Sequence, residues 1–527
     1  MHKIEDVSHV DSKMSIYHSD SSAKGIKLIR GRWIFAPDRV IPDGAVAVEN
    51  ETILAVGEWE TLHSECPRAE VLGSTHHAVL PGLINAHHHS NGVPNSLMGI
   101  EDDFLELWLF SLIGLRSQPT DLKTLFSIAA LLKTGVTTVL DFAVVGGSLE
   151  SSRADLGDRF KAYEQAGLRV AMTPGCRYES LLVHNEDQAF LASLPADLQQ
   201  RVQARVPLQQ TLLPEDYLAL ISDAVQRYKD HPHIDVWFGP PGPQWVGDDL
   251  LVKIVETAQS LGTGVQTHAL ESFYEKLIGP RFHGRSVIAH LKDLGVLSPQ
   301  FSIAHGVWVT DSDIEILAET GASISHNPSS NLRLRAGVAP LNALLAGGVT
   351  VGLGMDGTTI NDDEDMFNEM RLAARLHRTP QIDEPAPSFS DILRLATAGG
   401  AKLLGKEAMI GTLAPGYRAD MALVKCDRIT WPWVAPEADP LTVMMMRARG
   451  GDVDTVLVNG KVVLKAGQPT GFDLPAVAEE MATHLEQADN REAYRALSQA
   501  VRPHLAQWYA QWDADPLSPF DSFNSRR

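Results

Sequence analysis

Residues 78–90 read "AVLPGLINAHHHS", a β-rich apolar run that ends in three consecutive histidines. Successive side chains of a strand alternate between its faces. His87 and His89 therefore point together from the C-terminal end of the predicted strand 78–87, and His88 points away as a bystander. Working outward, seven more runs of this character follow at 136–142, 169–174, 233–239, 264–269, 301–306, 322–327 and 349–356. Longer amphipathic stretches lie between them, among them "TDLKTLFSIAALLKTG", "DDLLVKIVETAQSLG" and "DSDIEILAETG", each opening on Thr or Asp as a cap and closing on Gly. Eight alternating units of strand and helix predict an α/β fold, a (β/α)8 TIM barrel over residues 78–409.

The flanks read differently. Residues 26–77 hold "IKLIRGRWIFAP", "GAVAVENETILAVG" and "AEVLGS", and residues 410–472 hold "GTLAPGYRADMALVK" and "DVDTVLVNGKVVLKAG". Both are short strands with turn residues, and Asn459-Gly460 predicts a two-residue hairpin turn. The two pieces are expected to pair as one small β-sandwich. Residues 473–527 turn helical, as a packing or oligomer-contact extension, and the polar residues 1–25 are expected to form a mobile tail or a subunit-contact arm. The stretch from Cys176 to Leu213 is long for a strand-to-helix connection and predicts a lid.

At 527 residues and a formal charge of −21, the chain lacks the concentrated basic face that nucleic acid or an anionic membrane would need. Three scattered cysteines form no CxxC pair and imply neither a disulfide framework nor a thiolate zinc site. With no apolar run of membrane-spanning length and no secretory leader, a cytoplasmic protein acting on a small molecule is expected.

An HxH pair alone is also what a surface cluster gives. Here the same C-terminal edge of the barrel carries His268 in "QTHALES", His305 in "SIAHGVW" and Asp356 in "GLGMDGTT". That edge is where TIM-barrel enzymes build their sites. Three imidazole nitrogens and one carboxylate oxygen suit Zn or Fe(II), with a coordination position left open for water. By contrast, "HPH" at His231 and His233, and His76 with His77, precede their strands and read as surface clusters. The run "NDDEDMFNE" reads as a solvated acidic helix start.

These motifs, together with "SHNPSSNLRLRAGVAPL", "GTLAPGYRADMALV" and "VLVNGKVV", resemble the amidohydrolase superfamily over residues 26–465. The likeness is to its branch acting on heterocycles, which includes S-adenosylhomocysteine and methylthioadenosine deaminases, guanine and cytosine deaminases, and triazine hydrolases. The resemblance implies that His87, His89, His268 and Asp356 ligate one divalent metal, zinc ahead of Fe(II), and that a metal-activated hydroxide attacks an sp2 carbon. It implies Asp356 as the base, Glu271 as the proton shuttle to a ring nitrogen and then to the leaving amine, and His305 as the group that orients water or stabilises developing charge. Glu271 stands three residues after His268; the alternative for it is a helix N-terminal acid. Binuclear relatives carry a bridging Lys or Glu at strand four, where this chain has "FGPPGPQW", so one metal is expected.

The resemblance makes a deaminase of a purine, pterin, pyrimidine or triazine the first expectation. Hydrolysis of a chloro-heterocycle or of a urea or amide C–N bond comes second, and a non-catalytic assembly module last. Substrate contacts are expected from Glu106 and Trp108 in "EDDFLELWLFS", or else this is an amphipathic helix packing Leu105, Trp108 and Leu109 inward. Further candidates are Gln244, Trp245, His283, His326 and Asn327. Arg333 and Arg335 stand where nucleoside-acting members often carry Lys, and Thr358, Thr359 and Ile360 where a Ser-Asn stretch is common. A homodimer or higher homo-oligomer is expected.

Overall fold

The computed structural model describes residues 25–512 apart from 380–381, 383–385 and 488–490; the expected N-terminal tail, up to residue 24, and the final segment 513–527 lie outside the described residues. Strands β1 Ile26–Phe35, β2 Val40–Glu49, β3 Thr52–Glu58 and β4 Glu70–Pro81 come first. The eight expected barrel strands follow in order as β5 Leu83–His88, β6 Val136–Val144, β7 Arg169–Gly175, β8 Ile234–Val236, β9 Val265–Ala269, β10 Phe301–His305, β11 Ser323–His326 and β12 Val351–Leu353. They pair in parallel as two four-stranded sheets, β5-β6-β7-β8 and β9-β10-β11-β12. Hydrogen bonds cross both seams. Phe238 N–H donates to Gly264 O and Gln266 N–H to Phe238 O (both 3.0 Å), and on the other side Asp356 N–H donates to His87 O (2.9 Å). This is a TIM-barrel-type α/β arrangement.

The predicted strand 78–87 is divided. Residues up to Pro81 belong to the flanking sheet, and the barrel strand starts at Leu83. The cause lies at Gly82, where an added Cβ would come within 2.1 Å of Thr137 Oγ1, so the backbone passes between the two sheets only because no side chain is there. Helix starts also differ from expectation: Thr120 and Asp248 are first helical residues, preceded by Pro119 and Gly247 without side-chain capping bonds. Thr310, one residue earlier than expected, caps the helix Asp311–Thr320 in a reciprocal capping box with Asp313.

The chain continues through β13 Met421–Lys425, β14 Val453–Val458, β15 Lys461–Lys465 and β16 Gln468–Pro469. Both flanks share one eight-stranded sheet, ordered β16-β15-β14-β13-β4-β1-β2-β3, in which β13 lies antiparallel beside β4 with Met421 opposite Pro81. Asn459 and Gly460 turn the β14–β15 hairpin with φ of 48° and 70°, the left-handed pair that a two-residue turn of the primed type demands. Along β1 the side chains alternate between two cores, Leu28 with Ala45 and Ala47, and Ile29 with Val46 and Met421.

A buried ion pair joins this sheet to the barrel. Arg169 at the start of β7 reaches Asp420 Oδ2 (2.9 Å) and Asn459 Oδ1 (2.6 Å), while Asn459 N–H donates to Asp420 Oδ1 (2.7 Å). Removing one partner leaves the other charge buried and uncompensated, at about 3–5 kcal/mol. Arg169→Met is therefore expected to lower the unfolding free energy by an amount of that order and the denaturation midpoint with it. Chemical denaturation against wild type checks it, and an unchanged midpoint would show that the pair does not hold the two parts together.

The C-terminal helices pack on the same chain. Leu474–Gln487 lies on the helix Thr120–Lys133, and Glu492–Tyr509 on the helices Leu105–Ser111 and Ala196–Arg205. Among the described residues, no helix is long and apolar enough to cross a membrane.

Candidate metal centre

Strand pleating brings His87 and His89 to the inner face at the end of β5, beside His268 of β9. His268 Nε2 lies 3.1 Å from His87 Nε2 and 3.3 Å from His89 Nε2. Asp356, three residues beyond β12, places Oδ1 3.3 Å from His89 Nε2 and 3.7 Å from His87 Nε2. His305, at the end of β10, has its Nε2 3.7 Å from Asp356 Oδ2 and 3.5 Å from Glu271 Oε2.

The other ring nitrogens decide what this cluster can do. His87 Nδ1–H donates to Gln266 Oε1 (2.7 Å), His89 Nδ1–H to Phe142 O (3.0 Å) and His268 Nδ1–H to Pro241 O (2.6 Å). Carbonyl oxygens only accept, and the Gln266 amide is oriented because its Nε2 donates to Ala86 O and Ser302 Oγ. Each imidazole thus keeps its proton on Nδ1 and turns a lone pair inward from Nε2. Lone pairs about 3 Å apart repel unless a proton or a cation lies between them. Burial, then His89 and His305, hold the His268 imidazole down to about 3, so a shared proton is no solution at neutral pH. A divalent ion is one: tetrahedral Zn–N bonds of about 2.0–2.1 Å give ligand-to-ligand edges near 3.3 Å. The donor set of three nitrogens and a carboxylate fits zinc or iron.

Asp356 completes the acidic side. Burial raises its carboxyl, but His89, His87, His305 and the Ser330 hydroxyl outweigh that and hold it far below the usual range. Ser330 Oγ donates to its Oδ2 (2.6 Å). His305 and Asp356 leave their strands with left-handed backbone, φ 77° and 57°. Such non-glycine conformations cost roughly 1–3 kcal/mol each and aim both side chains into the cluster.

Glu271 is buried beside His305. Burial, followed by Glu275, Asp356 and Glu106, pushes its carboxyl well above the ordinary value, which favours the protonated acid. Its backbone N–H donates to Glu275 Oε2 (2.7 Å), Gln244 Nε2 donates to Glu275 Oε1 (2.9 Å), and Ser272 Oγ donates to Glu106 Oε1. His305 Nδ1 meets Asn331 Oδ1 at 2.9 Å and Asn327 Nδ2 at 3.3 Å, so either tautomer can be held.

Of the expected substrate contacts, Glu106, Gln244 and Asn327 fall within this shell, and Trp245 lines a cavity with Glu106 and His184. Three others do not. Among the described residues, no hydrogen bond or ring contact joins the half-buried Trp108 to the imidazoles. His283 stacks on His290 (3.8 Å between centroids) at an outer cleft of ≈ 500 Å³. His326 is buried behind the cluster, with Nε2 2.8 Å from His377 Nε2. Arg333 binds Asp102, Asp362 and the Thr359 carbonyl, and the Arg335 guanidinium lies 3.8 Å over the Phe104 ring, so both arginines brace the loop after β5. The "lid" residues 176–213 contain the helices Asp187–Ser193 and Ala196–Arg205, and the Asp187 carboxylate accepts from the N–H groups of Leu181, Leu182 and Val183.

His88 is no bystander. It is fully buried; its Nδ1–H donates to Asp356 O (2.8 Å) and its Nε2 faces Glu364 Oε2 at 3.8 Å. The acidic run is likewise less solvated than expected, for Asp365 caps the helix Met366–Leu376 and Glu369 accepts from Ser329 N (2.9 Å). Burial, then Asp141, Asp362 and Asp363, push the Glu364 carboxyl up to about 8. A folded-state value above the usual 4.5 gives stability that is full below pH 4.5 and is lost as pH rises through about 8. Glu364→Gln is accordingly expected to flatten the fall in denaturation midpoint between roughly pH 5 and 8.5. Urea titrations across that range check it, and identical slopes would refute it.

Gln266, Ser330 and Asn331 serve the cluster yet escaped sequence reading. Only Gln266 carried a signal, since it stands two residues before His268 on the same strand face.

The pattern of the amidohydrolase family matches residues 78–463. A 5-methylthioadenosine/S-adenosylhomocysteine deaminase of Pelotomaculum thermopropionicum is 30% identical over 478 residues, covering 88% of this chain and 99% of that one. A 5'-deoxyadenosine deaminase of Methanosarcina mazei is 30% identical over 446 residues, 84% of this chain and 92% of that one. Among solved structures, a zinc-bound adenosine deaminase from Xanthomonas campestris superposes with TM-score 0.72 at 25% identity, over 90% of this chain and 99% of that one. A zinc complex of atrazine chlorohydrolase from Arthrobacter aurescens TC1 shares the fold, with TM-score 0.69 at 22% identity over 87% and 100% of the two chains.

Proposed function

The chain belongs to the amidohydrolase family, and on that premise we propose that it is a metal-dependent aminohydrolase releasing ammonia from an amino-substituted N-heterocycle such as a purine, pterin, pyrimidine or triazine. The observation that carries this reading is Glu271, a buried carboxyl raised by its surroundings and 3.5 Å from His305. Expelling ammonia from an amidine-like carbon needs a proton delivered to nitrogen, and a carboxyl whose surroundings favour its acid form delivers it.

His87, His89, His268 and Asp356 would hold a single divalent ion, zinc before iron. When bound it supplies Lewis acidity, lowering the pKa of water from 15.7 towards about 7. Asp356, whose carboxylate stays ionised, accepts the proton of the water that adds to the sp2 carbon. Glu271 protonates the ring nitrogen, the proton taken by Asp356 reaches the amine, which departs as ammonia, and as the new C=O forms its hydroxyl proton returns to Glu271. His305 has an unpaired Nε2 between Glu271 and Asp356 and steadies charge developing on the new oxygen.

The same proposal takes the eight parallel strands as one closed (β/α)8 barrel and the flanking sheet as a β-sandwich, with limits at 26–77, 78–409, 410–472 and 473–527. It places the enzyme in the cytoplasm as a homo-oligomer, with no nucleic-acid or membrane partner. Metal-replete protein incubated with purines, pterins, pyrimidines and triazines is expected to release ammonia in step with product. Release of chloride or an alkylamine instead would favour hydrolysis of a chloro or substituted-amine bond. No product from any of them would sink the enzyme reading and revive an assembly role.

A further inference from the structure

His88 stands between two of the proposed metal ligands and points away from them, yet its ring is fully buried. The proposed chemistry does not use it.

What the ring holds is Asp356. Strands β5 and β12 belong to separate sheets, so the seam where the chain after β12 meets β5 rests on individual bonds. Met355 N–H donates to Asn85 Oδ1 and Asp356 N–H to His87 O, both at 2.9 Å. A third bond runs the opposite way, from His88 Nδ1–H to Asp356 O (2.8 Å). The carbonyl oxygen only accepts, so the proton sits on Nδ1. Asp356 is thus tied at its N–H by His87 and at its C=O by the ring of the next residue.

That second tie reaches the carboxylate. Peptide groups are planar and trans, so the C=O of Asp356 and the N–H of Gly357 turn together. Gly357 N–H donates to Asp356 Oδ1 (2.7 Å), the oxygen that lies 3.3 Å from His89 Nε2 and 3.7 Å from His87 Nε2. A chain of contacts therefore runs from the His88 ring through one peptide plane to the oxygen that faces the imidazoles. The plane needs holding, because Asp356 has φ 57°, a left-handed conformation that a residue with a side chain keeps only where its surroundings impose it. At the far end of the ring, Nε2 faces Glu364 Oε2 at 3.8 Å and neither atom has a hydrogen-bond partner. Only the δ nitrogen of His88 makes a hydrogen bond.

Resting on the metal-centre reading, we propose that His88 is a positioning residue for Asp356: by holding the Asp356–Gly357 peptide plane, it sets where Oδ1 sits against the imidazoles of His87 and His89. The other three ligands do not depend on it. Their Nδ1 protons go to Gln266, Phe142 and Pro241. Groups that orient a metal ligand from outside the coordination sphere commonly matter by one to two orders of magnitude.

Two amides separate this role from simple filling of space. Asparagine places its Nδ2 where the His88 Nδ1 stands and can keep the bond to the Asp356 carbonyl. Glutamine is nearer to histidine in volume, but its amide lies towards the Glu364 end. On full-length protein, with zinc affinity read by competition against a chromophoric chelator, His88→Gln is expected to weaken zinc by about 10–100-fold, and His88→Asn by less than about threefold. The kcat for ammonia release should fall by a like factor in the Gln variant while KM changes by less than about twofold. The visible spectrum of cobalt-loaded protein should shift in the Gln variant and match wild type in the Asn variant, since only the first displaces a ligand. A ring that merely fills space gives the reverse order. An Asn variant that binds zinc no more tightly than the Gln variant would overturn the proposal. If wild type binds zinc yet releases no ammonia from any heterocycle, the deaminase reading falls, and the zinc affinities and cobalt spectra still decide the role of His88. Wild type without affinity for zinc would overturn the metal reading and this proposal together.

Discussion

Glu271→Gln is expected to retain a full complement of metal and to lose about a thousandfold in kcat, the range that general acid–base groups contribute. Glutamine keeps the size of the side chain and can keep the backbone contact to Glu275, but it carries no transferable proton. In wild type burial and three neighbouring carboxylates oppose its ionisation and favour the acid form. Turnover should therefore decline as pH rises through the elevated Glu271 value, and the residual activity of the variant should lack that alkaline limb. Ammonia release across pH, with elemental analysis of the same samples, separates the two effects. Full activity in the variant would remove Glu271 from the chemistry; lost metal would make it a structural support instead.

Removal of the cation should have the second large effect. Chelated protein is expected to be inactive and to melt earlier, and one equivalent of zinc should restore both. His87 and His268 present Nε2 lone pairs 3.1 Å apart, with no proton able to lie between them near neutral pH. An ion at a thousand times its dissociation constant adds about 4 kcal/mol to the folded state. His268→Ala, which deletes one corner of the donor set, should bind less than one equivalent and resist rescue. Chelated protein that kept its activity and melting temperature would contradict the metal assignment.

The barrel was legible because strand alternation leaves a local signature. All eight barrel strands form in the expected order, and HxH spacing with distant His268 and Asp356 identified the cluster. What resisted reading depends on chain crossings. Gly82 marks a strand boundary only because Thr137 approaches it, and His88 is buried only because the Asp356 carbonyl returns over it. His283 and His326, expected as substrate contacts from their place after barrel strands, pair with His290 and His377, neighbours that their local sequence does not announce. Tyr509 packs on Tyr274, three residues after Glu271, from a helix more than 230 residues further along the chain, and nothing in its local sequence announces that contact.

The interleaved order of the flanking sheet carries a consequence for biosynthesis. Strand β4 takes its antiparallel neighbour β13 from residues 421–425, so a nascent chain that has completed β1 to β4 presents an unpaired strand edge until some 340 further residues have been made. At 5–20 residues per second that interval is roughly 17–70 s. Throughout it, the segment leading straight into His87 and His89 is a template for wrong pairing with other chains. Slower translation of the barrel should therefore lower the soluble yield even though the finished protein is unchanged.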